Sequence, residues 1–252
     1  MNSVYKPKVT VIVPVCNEVS KLNFCVTKVK GVLQNLGVSF EIVVSEDGST
    51  DGTDKIAYEL SHKDSAVKHL HSDVRLGRGE AIKRAFEAAE GDIVVYTDVD
   101  LSTDLRHLID LIKTIENGAD VTTGSRLLKE SVVKRPLHRE ITSRIYNWMI
   151  RLMFKSPIHD HQCGFKAFRK ATATTPLNKV KDKHWFWDTE LIIRAVRQGC
   201  SVVEIPVTWI QSEETKVRLW TDIKYMVTST LKLWWQLRKE RKRRFVKTVF
   251  SE

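Results

Sequence analysis

Short apolar runs alternate with stretches of helical periodicity through the first half of the chain. Four runs predict strands, because they are short, rich in β-branched residues and bounded by polar turns. These strands cover 9–15, 40–45, 67–71 and 92–97. Between them, apolar residues recur at helical intervals in 19–36, 53–60, 77–91 and 104–117. Repeated strand–helix units predict an α/β fold, with a mostly parallel sheet and helices on both faces.

The second half is less regular, but it keeps both periodicities. Its predicted elements are a strand and loop at 119–126, an amphipathic helix at 140–154, a loop leading into a short strand at 159–170, a helix at 185–199 and a strand at 201–210. No internal repeat, low-complexity segment or Pro/Gly-rich linker interrupts this series. We therefore expect one catalytic domain over 1–218, followed by a tail over 219–252.

Polar residues follow three of the predicted strands. They occupy 14–18, 46–49 and 98–100. Ligands of parallel α/β sheets bind at the carboxyl ends of the strands, where neighbouring strand ends meet. We therefore expect the three polar segments to converge on one edge of the sheet and to form the functional site.

The third segment contains two carboxylates in a D-x-D pattern, Asp98 and Asp100. Two like charges so close together repel each other unless a cation neutralises them. Mg²⁺ and similar hard cations take one or two carboxylates together with phosphate oxygens of a substrate. The pattern predicts a Mg²⁺ or Mn²⁺ site, whereas we interpret Asp104 as the cap of the following helix.

The charge of the chain points to an anionic partner. Lys and Arg number 41 against 31 Asp and Glu, which gives a net charge of +10. A nucleic acid, a phosphorylated ligand or an acidic membrane surface would each suit this charge. The four cysteines match no zinc motif. No apolar run reaches the roughly 18 residues that a spanning helix needs, and the N-terminus has no hydrophobic signal region.

Several motifs in this order and spacing carry a resemblance to a known family. In the first half these are VTVIVPVCNE, EIVVSEDGSTDGT, RLGRGEAIKRA and YTDVDLS. They resemble the family 2 glycosyltransferases, which have the Rossmann-like GT-A fold. In the second half, TGSR, SRIYN, DHQCGFKAF, WFWDTEL and ETKV are similar to the branch that makes polyprenyl-phosphate or dolichyl-phosphate sugars.

The resemblance implies a nucleotide-sugar half over about 1–126 and an acceptor half over about 127–218. It also implies roles for individual residues. On the donor side, Pro14, Cys16 and Glu18 would lie beside the nucleoside. Glu46 and Asp47 would bind the base or the ribose. Asp98 and Asp100 would hold the metal ion on the diphosphate. Lys216 and Arg218 would belong to a loop over that diphosphate. Arg126 and Arg144 would face the donor or the lipid phosphate, and Gln162 and Lys166 would line the acceptor side.

The resemblance implies an inverting displacement, in which a hexose leaves a UDP-glucose or GDP-mannose type of donor. A polyprenyl phosphate is largely ionised near pH 7, so it needs no strong general base. A hydroxyl acceptor would need one, and Asp188 or Glu190 would then be the candidates. The alternative for these two carboxylates is to pair with nearby cations and to shape the acceptor pocket. Arg139 and Arg151 are expected to be solvated helix residues.

The tail offers two interpretations. Residues 219–237 carry a Trp-rich apolar stripe, and residues 238–244 are nearly all cationic. Such a helix suits the surface of an anionic bilayer, which would make the protein peripheral on the cytoplasmic face of a membrane. A helix packed on the catalytic core would have the same pattern.

Two other functions remain open at this stage. One is a soluble family 2 transferase that acts on a glycan or protein hydroxyl. The other is a basic nucleic-acid-binding protein, which explains the net charge but leaves the acids at the sheet edge without a purpose, since they would repel phosphates. We therefore expect a nucleotide sugar and a lipid phosphate as partners, and no nucleic acid.

Overall fold

The computed structural model describes residues 6–211 and 219–249. The strands are β1 (Val9–Val15), β2 (Phe40–Glu46), β3 (Val67–Leu70), β4 (Ile93–Thr97), β5 (Val121–Ser125), β6 (Val132–Lys134), β7 (Phe165–Arg169), β8 (Val202–Pro206) and β9 (Thr208–Ile210). The helices are α1 (Val19–Asn35), α2 (Thr53–Lys63), α3 (Arg78–Ala88), α4 (Leu108–Glu116), α5 (Leu137–Phe154), α6 (Lys170–Leu177), α7 (Trp187–Arg197) and α8 (Leu219–Val249).

Seven strands form the central sheet in the order β3-β2-β1-β4-β7-β5-β8. The β3-β2-β1-β4 half is parallel, and β5 pairs with β8 in parallel. Strand β7 lies between β4 and β5 and runs antiparallel to both. The structure thus confirms the expected mostly parallel sheet, while the reversed strand was not predicted. A separate pair, β6 and β9, forms a small second sheet.

Helices cover both faces of the central sheet, and the alternation of strand side chains assigns each apolar residue to one face. Along β1, Val11 and Val13 pack with α1, α2 and α4, whereas Ile12 packs with α3, α6 and α7. Every residue of β1 is buried. A strand that is apolar at nearly every position is typical of a parallel sheet covered on both sides.

The predicted helix over 104–117 divides into two parts. A 3₁₀ turn, Leu105–His107, precedes α4. Asp104 begins the turn, because its carboxylate accepts a hydrogen bond from the Arg106 backbone N–H at 2.9 Å. The interpretation of Asp104 as a cap is confirmed. The predicted strand over 201–210 also divides, because β8 joins the central sheet and β9 leaves it for the small sheet.

Helix α8 has two apolar faces. Met226, Leu233 and Leu237 are buried in a cluster with α5 and α7. The other face carries exposed apolar residues at four-residue intervals, namely Ile223, Val227, Leu231 and Trp235. The packed-helix interpretation therefore holds for one face, and a second apolar stripe stays exposed. Neither α8 nor any other described helix combines the length and apolar character needed to cross a membrane.

Replacing Leu233 with Ala should lower the free energy of unfolding by about 2–4 kcal/mol, because the side chain is 2% exposed and its loss leaves a cavity. Leu231, which is 47% exposed on the same helix, is the matched control. Its replacement by Ala should change stability by less than about 0.5 kcal/mol. Denaturant unfolding measures both. Equal losses in the two variants would contradict the packing of α8 on the core.

Candidate active site

A cavity of about 640 Å³ opens at the carboxyl ends of β1, β2 and β4. The three polar segments meet there because the parallel register sets Val15 beside Glu46, and Ile12 beside Tyr96. Many of the residues expected at the site line this one cavity: Pro14, Cys16, Glu18, Asp47, Asp98, Asp100, Arg126, Gln162 and Asp188. The convergence expected from the strand pattern is thus observed.

Arg78, at the start of α3, joins two of the carboxylates. Its Nη2 donates to Asp98 Oδ1 at 2.6 Å, and its Nη1 donates to Asp188 Oδ2 at 3.0 Å. The guanidinium also lies over the rings of Tyr96 and Trp185. Burial alone would lower the pKa of Arg78, but the charges of Asp98 and Asp188 outweigh it and raise the pKa. The arginine therefore stays charged and holds the two acids together.

Asp188 is nearly buried and has three partners. Besides Arg78, it accepts a hydrogen bond from the Tyr96 hydroxyl and pairs with Lys166 Nζ at 3.3 Å. Burial raises the pKa of Asp188 to about 6, although Arg78 opposes the shift. Burial likewise lowers the pKa of Lys166 to about 8. Both oxygens of Asp188 are therefore occupied by protein donors.

Asp100 is held by its own turn. Its two oxygens accept from the backbone N–H of Ser102 at 3.0 Å and from the Ser102 hydroxyl at 2.8 Å. Burial raises the pKa of Asp100, and the charge of Asp98 raises it further. This repulsion between two carboxylates that line one cavity is what a divalent cation relieves, and the ligands are the oxygen donors that Mg²⁺ and Mn²⁺ prefer. The residues fit such an ion.

The reversed strand β7 begins beside the acidic pair, which consists of Asp98 and Asp100. Tyr96 lies opposite Lys166, and Thr97 lies opposite Phe165, so Gly164 follows beside Asp98. A Cβ at position 164 would collide with the Asp98 carboxylate. Glycine at this position lets the Asp98 carboxylate keep its present place, and a larger residue would force that carboxylate to move.

Asp47 fixes the loop on the β2 side of the cavity. Its carboxylate accepts from the backbone N–H groups of Leu76 at 2.7 Å and Gly77 at 2.9 Å. Glu46, the preceding residue, is fully buried and turns away from the cavity, toward His71 and the Ser49 backbone. Asp47 therefore ties the end of β2 to the segment that carries Arg78.

Arg126 follows β5 and forms a bidentate pair with the fully buried Asp160. Its Nε and Nη2 donate to the two carboxylate oxygens at 2.7 and 3.0 Å. Burial alone would raise the pKa of Asp160, but the adjacent guanidinium lowers it instead. Arg126 also lies over the ring of Trp209. Asp160 therefore holds one edge of the guanidinium, and Trp209 covers one of its faces.

Other expected site residues lie elsewhere. Arg144 is exposed on α5 and pairs with Glu140. Glu190 accepts from the backbone N–H groups of Lys181 and Asp182 and pairs with Arg194. Lys166 is buried behind Asp188 and reaches it directly. Lys216 and Arg218 lie outside the described residues.

The sequence motifs missed several residues that line the cavity, among them Arg75, Arg78, Arg135, Arg139 and Trp185. Arg78 stands inside the RLGRGEA motif, where its charge between two glycines was the available signal. Arg139, which was expected to be a solvated helix residue, is half-buried. It lines the cavity, and its Nη1 donates to Gln211 Oε1 at 3.3 Å. The turn of α5 toward β9 could not be predicted from periodicity.

The far side of the cavity is apolar. Ile145 and Met149 of α5 face Ile223, Met226 and Val227 of α8 across it. The cavity therefore begins among the acids and arginines at the sheet edge and continues into an apolar groove between two helices. One continuous space can receive a ligand that is charged at one end and apolar at the other.

Comparison with known proteins identifies relatives of this chain. The glycosyl transferase family 2 profile matches residues 10–174. Glycosyltransferase AglD of Haloferax volcanii is 45% identical over 233 residues, which cover 91% of this chain and 37% of AglD. Polyprenol monophosphomannose synthase of Mycolicibacterium smegmatis is 31% identical over 81% of this chain and 77% of its own length. The dolichyl-phosphate beta-glucosyltransferase of Saccharomyces cerevisiae is 26% identical over 84% and 70%, respectively.

Solved structures share the fold. Glucosyl-3-phosphoglycerate synthase of Mycobacterium tuberculosis, crystallised with Mn²⁺, UDP and phosphoglyceric acid, has a TM-score of 0.65 at 18% identity and covers 90% of this chain and 77% of its own. Mannosyl-3-phosphoglycerate synthase of Rubrobacter xylanophilus has a TM-score of 0.68 at 15% identity, with 93% and 75% covered. These likenesses confirm the expected GT-A fold. The profile match and the relatives of 30% identity or more show that this chain is a glycosyltransferase and belongs to glycosyl transferase family 2.

Proposed function

We propose that this glycosyltransferase moves a hexose from a UDP-glucose or GDP-mannose type of donor to a polyprenyl or dolichyl phosphate, with inversion at the anomeric carbon. One observation carries the proposal. A single cavity joins the acidic edge of the sheet, where a nucleotide sugar suits the fold, to an apolar groove between α5 and α8. A lipid phosphate needs both environments next to each other.

The donor would bind along the carboxyl ends of β1, β2 and β4. Pro14, Cys16 and Asp47 would contact the nucleoside, and Glu18 would complete that side. Asp98 and Asp100 would hold Mg²⁺ or Mn²⁺ against the diphosphate. Such an ion stabilises the negative charge that grows on the leaving diphosphate. Arg78 already lies against Asp98 and adds a fixed positive charge at the same place.

The acceptor phosphate would bind where arginines border the groove. Arg126, Arg135 and Arg139 line this part of the cavity, and charged guanidinium groups are strong hydrogen-bond donors to phosphate oxygens. Gln162 lines the same side. An ionised phosphate oxygen would attack the anomeric carbon while the bond to the nucleoside diphosphate breaks. Because that oxygen carries no proton, the protein needs no proton acceptor.

The surroundings of Asp188 support a phosphate acceptor over a hydroxyl. A hydroxyl nucleophile needs a carboxylate oxygen that is free to take its proton. Both oxygens of Asp188 are already bound by Arg78, Tyr96 and Lys166. Glu190 is buried outside the cavity. We therefore assign Asp188 to positioning Arg78 and not to proton transfer.

Two exposed apolar stripes favour contact with a membrane. On α5 the stripe consists of Leu137, Ile141, Ile145, Trp148 and Leu152, which are 47–72% exposed. The stripe of α8 runs from Ile223 to Trp235. Ile145, Ile223 and Val227 belong both to the stripes and to the lining of the cavity. We propose that the two helices lie on the cytoplasmic face of a membrane, so that a lipid enters the groove from the bilayer.

The relatives agree with this class of acceptor by name, since they include a dolichyl-phosphate beta-glucosyltransferase and a polyprenol monophosphomannose synthase. Incubation with radiolabelled UDP-glucose or GDP-mannose and polyprenyl phosphate should therefore carry label into the solvent-extractable lipid. Omitting the lipid phosphate, or replacing it with the corresponding polyprenol, should abolish this transfer. Label that appears only in a water-soluble glycan would contradict the proposal.

Replacing Asp100 with Asn should reduce transfer at least about 100-fold, because a neutral amide neither binds the cation nor balances its charge well. Asp104→Asn is the matched control, since Asp104 caps a turn and pairs with Arg106 away from the cavity lining. Initial rates over a Mn²⁺ titration measure both variants. Wild-type rates for Asp100→Asn at low Mn²⁺ would remove the metal assignment.

Replacing Trp148 and Leu152 together with Ser should weaken co-sedimentation with anionic vesicles at least about tenfold, because each large apolar side chain contributes about 1.5–3 kcal/mol when it leaves water. Phe24→Ser is the control, since Phe24 is 60% exposed on α1, away from the stripes. Transfer to a short, detergent-soluble acceptor should change little in either variant. Equal vesicle binding by both would show that the stripe of α5 does not touch the bilayer.

A further inference from the structure

A cluster of two histidines and one glutamate lies at the edge of the sheet, apart from the acidic pair. His69 is in β3, His71 follows it directly, and Glu46 ends β2. One ligand atom from each of the three lies within 4.8 Å of the others. None of these three side chains takes part in the proposed sugar transfer.

The sheet itself brings the three side chains together. Val44 pairs with His69, and Ser45 with Leu70, so the next positions in register are Glu46 and His71. Side chains two residues apart on a strand point to the same face. His69 and His71 therefore project beside Glu46 from the face that α1 and α2 cover.

The hydrogen bonds of these side chains show which of their atoms could turn to an ion. Glu46 uses Oε1 to accept the Ser49 backbone N–H, and its Oε2 lies 2.6 Å from His71 Nδ1. No described residue hydrogen bonds to the buried His69 Nε2. Two ligands about 2.0–2.1 Å from a tetrahedral ion lie roughly 3.3 Å apart, so the pair of 2.6 Å needs to open only slightly.

His71 also has the outer partner that metal-binding histidines use. Its Nε2 lies 3.1 Å from Asp73 Oδ1. A carboxylate that accepts from the second ring nitrogen fixes the orientation of the ring and leaves the first nitrogen free to bind a metal. Asp73 thus orients the His71 ring so that its Nδ1 points toward Glu46.

We infer that Glu46, His69 and His71 form a binding site for a transition-metal ion, of which Zn²⁺ is the best match. Two imidazoles and one carboxylate suit Zn²⁺ or Co²⁺, whereas Mg²⁺ and Ca²⁺ prefer oxygen ligands alone. Such an ion would join the end of β2 to the segment after β3. Because Asp47 and Arg75 line the main cavity from these two segments, the ion would stiffen that wall.

The test is Zn²⁺ titration of the full, chelator-treated chain by calorimetry, with visible absorption of bound Co²⁺ as a second probe. The background carries Asp98→Asn and Asp100→Asn, so that the acidic pair cannot contribute. We expect about one tight site, a higher midpoint of thermal unfolding with Zn²⁺, and the absorption of Co²⁺ with nitrogen and oxygen ligands. Absence of a tight site in this background would overturn the inference.

Three variants in the same background should rank in a fixed order. Asp73→Asn should weaken Zn²⁺ binding about 10-fold to 100-fold, because it removes only the outer partner. His69→Asn and His71→Asn should weaken it further, since each removes a ligand. His62→Asn should have no effect, because His62 is on α2 and contacts the ring and the carbonyl of Tyr58.

The side chain of Asp73 is 97% exposed, so Asp73→Asn tests the site even where a histidine variant fails to fold. Zn²⁺ affinity that is the same in Asp73→Asn, His71→Asn and His62→Asn would overturn the inference. The proposed function is tested separately, in a His71→Asn variant that keeps Asp98 and Asp100. Mn²⁺-dependent sugar transfer is measured in this variant. The two proposals can therefore fail independently.

Discussion

The arrangement at the sheet edge depends on the charge balance around Arg78. Asp188 is nearly buried and Asp98 lines the cavity beside it, and an unpaired buried charge costs several kcal/mol. Arg78 offsets this cost through one hydrogen bond to each acid, and the rings of Tyr96 and Trp185 lie against its guanidinium. Arg78 thereby joins α3 to Asp188 of α7 and to Asp98 at the end of β4, which holds together the edge of the sheet where the proposed donor would bind.

Strand β7 connects this charge network to the acceptor side. Because it runs against β4 and β5, it brings Lys166 beneath Asp188 and sets Gly164 against Asp98. The loop before β7 carries Asp160, which fixes Arg126 after β5. One reversed strand therefore supports an acid on the proposed donor side and an arginine on the proposed acceptor side. In a wholly parallel sheet the segment before this strand, with Asp160 and Gly164, would lie at the opposite edge, away from Arg126 and Asp98.

The periodicity of the chain predicted the strands and helices of the first half well, because the buried strands are largely apolar and are followed by polar residues. It also predicted the convergence of Pro14, Asp47 and Asp98, which follows from parallel register alone. The direction of β7 could not be predicted, because the pattern of a five-residue strand does not indicate which way it runs in the sheet. Arg78 and Arg139 were missed for a related reason, since their roles depend on which helix face meets the cavity. Glu46 was assigned by motif to the nucleotide, but the structure turns it toward His71.

Helix α8 shows why packing and proposed function are difficult to separate in this protein. Its Met226 is buried against α5 and α7, and the same residue lines the apolar end of the cavity. The groove therefore exists only while α8 is docked, and its neighbours Ile223 and Val227 continue from the groove onto the exposed stripe. A bilayer that covers the stripe would add apolar contacts to a helix already held by Leu233 and Leu237. Membrane contact would then stabilise the docked helix and the groove together, because the two apolar faces belong to one rigid element.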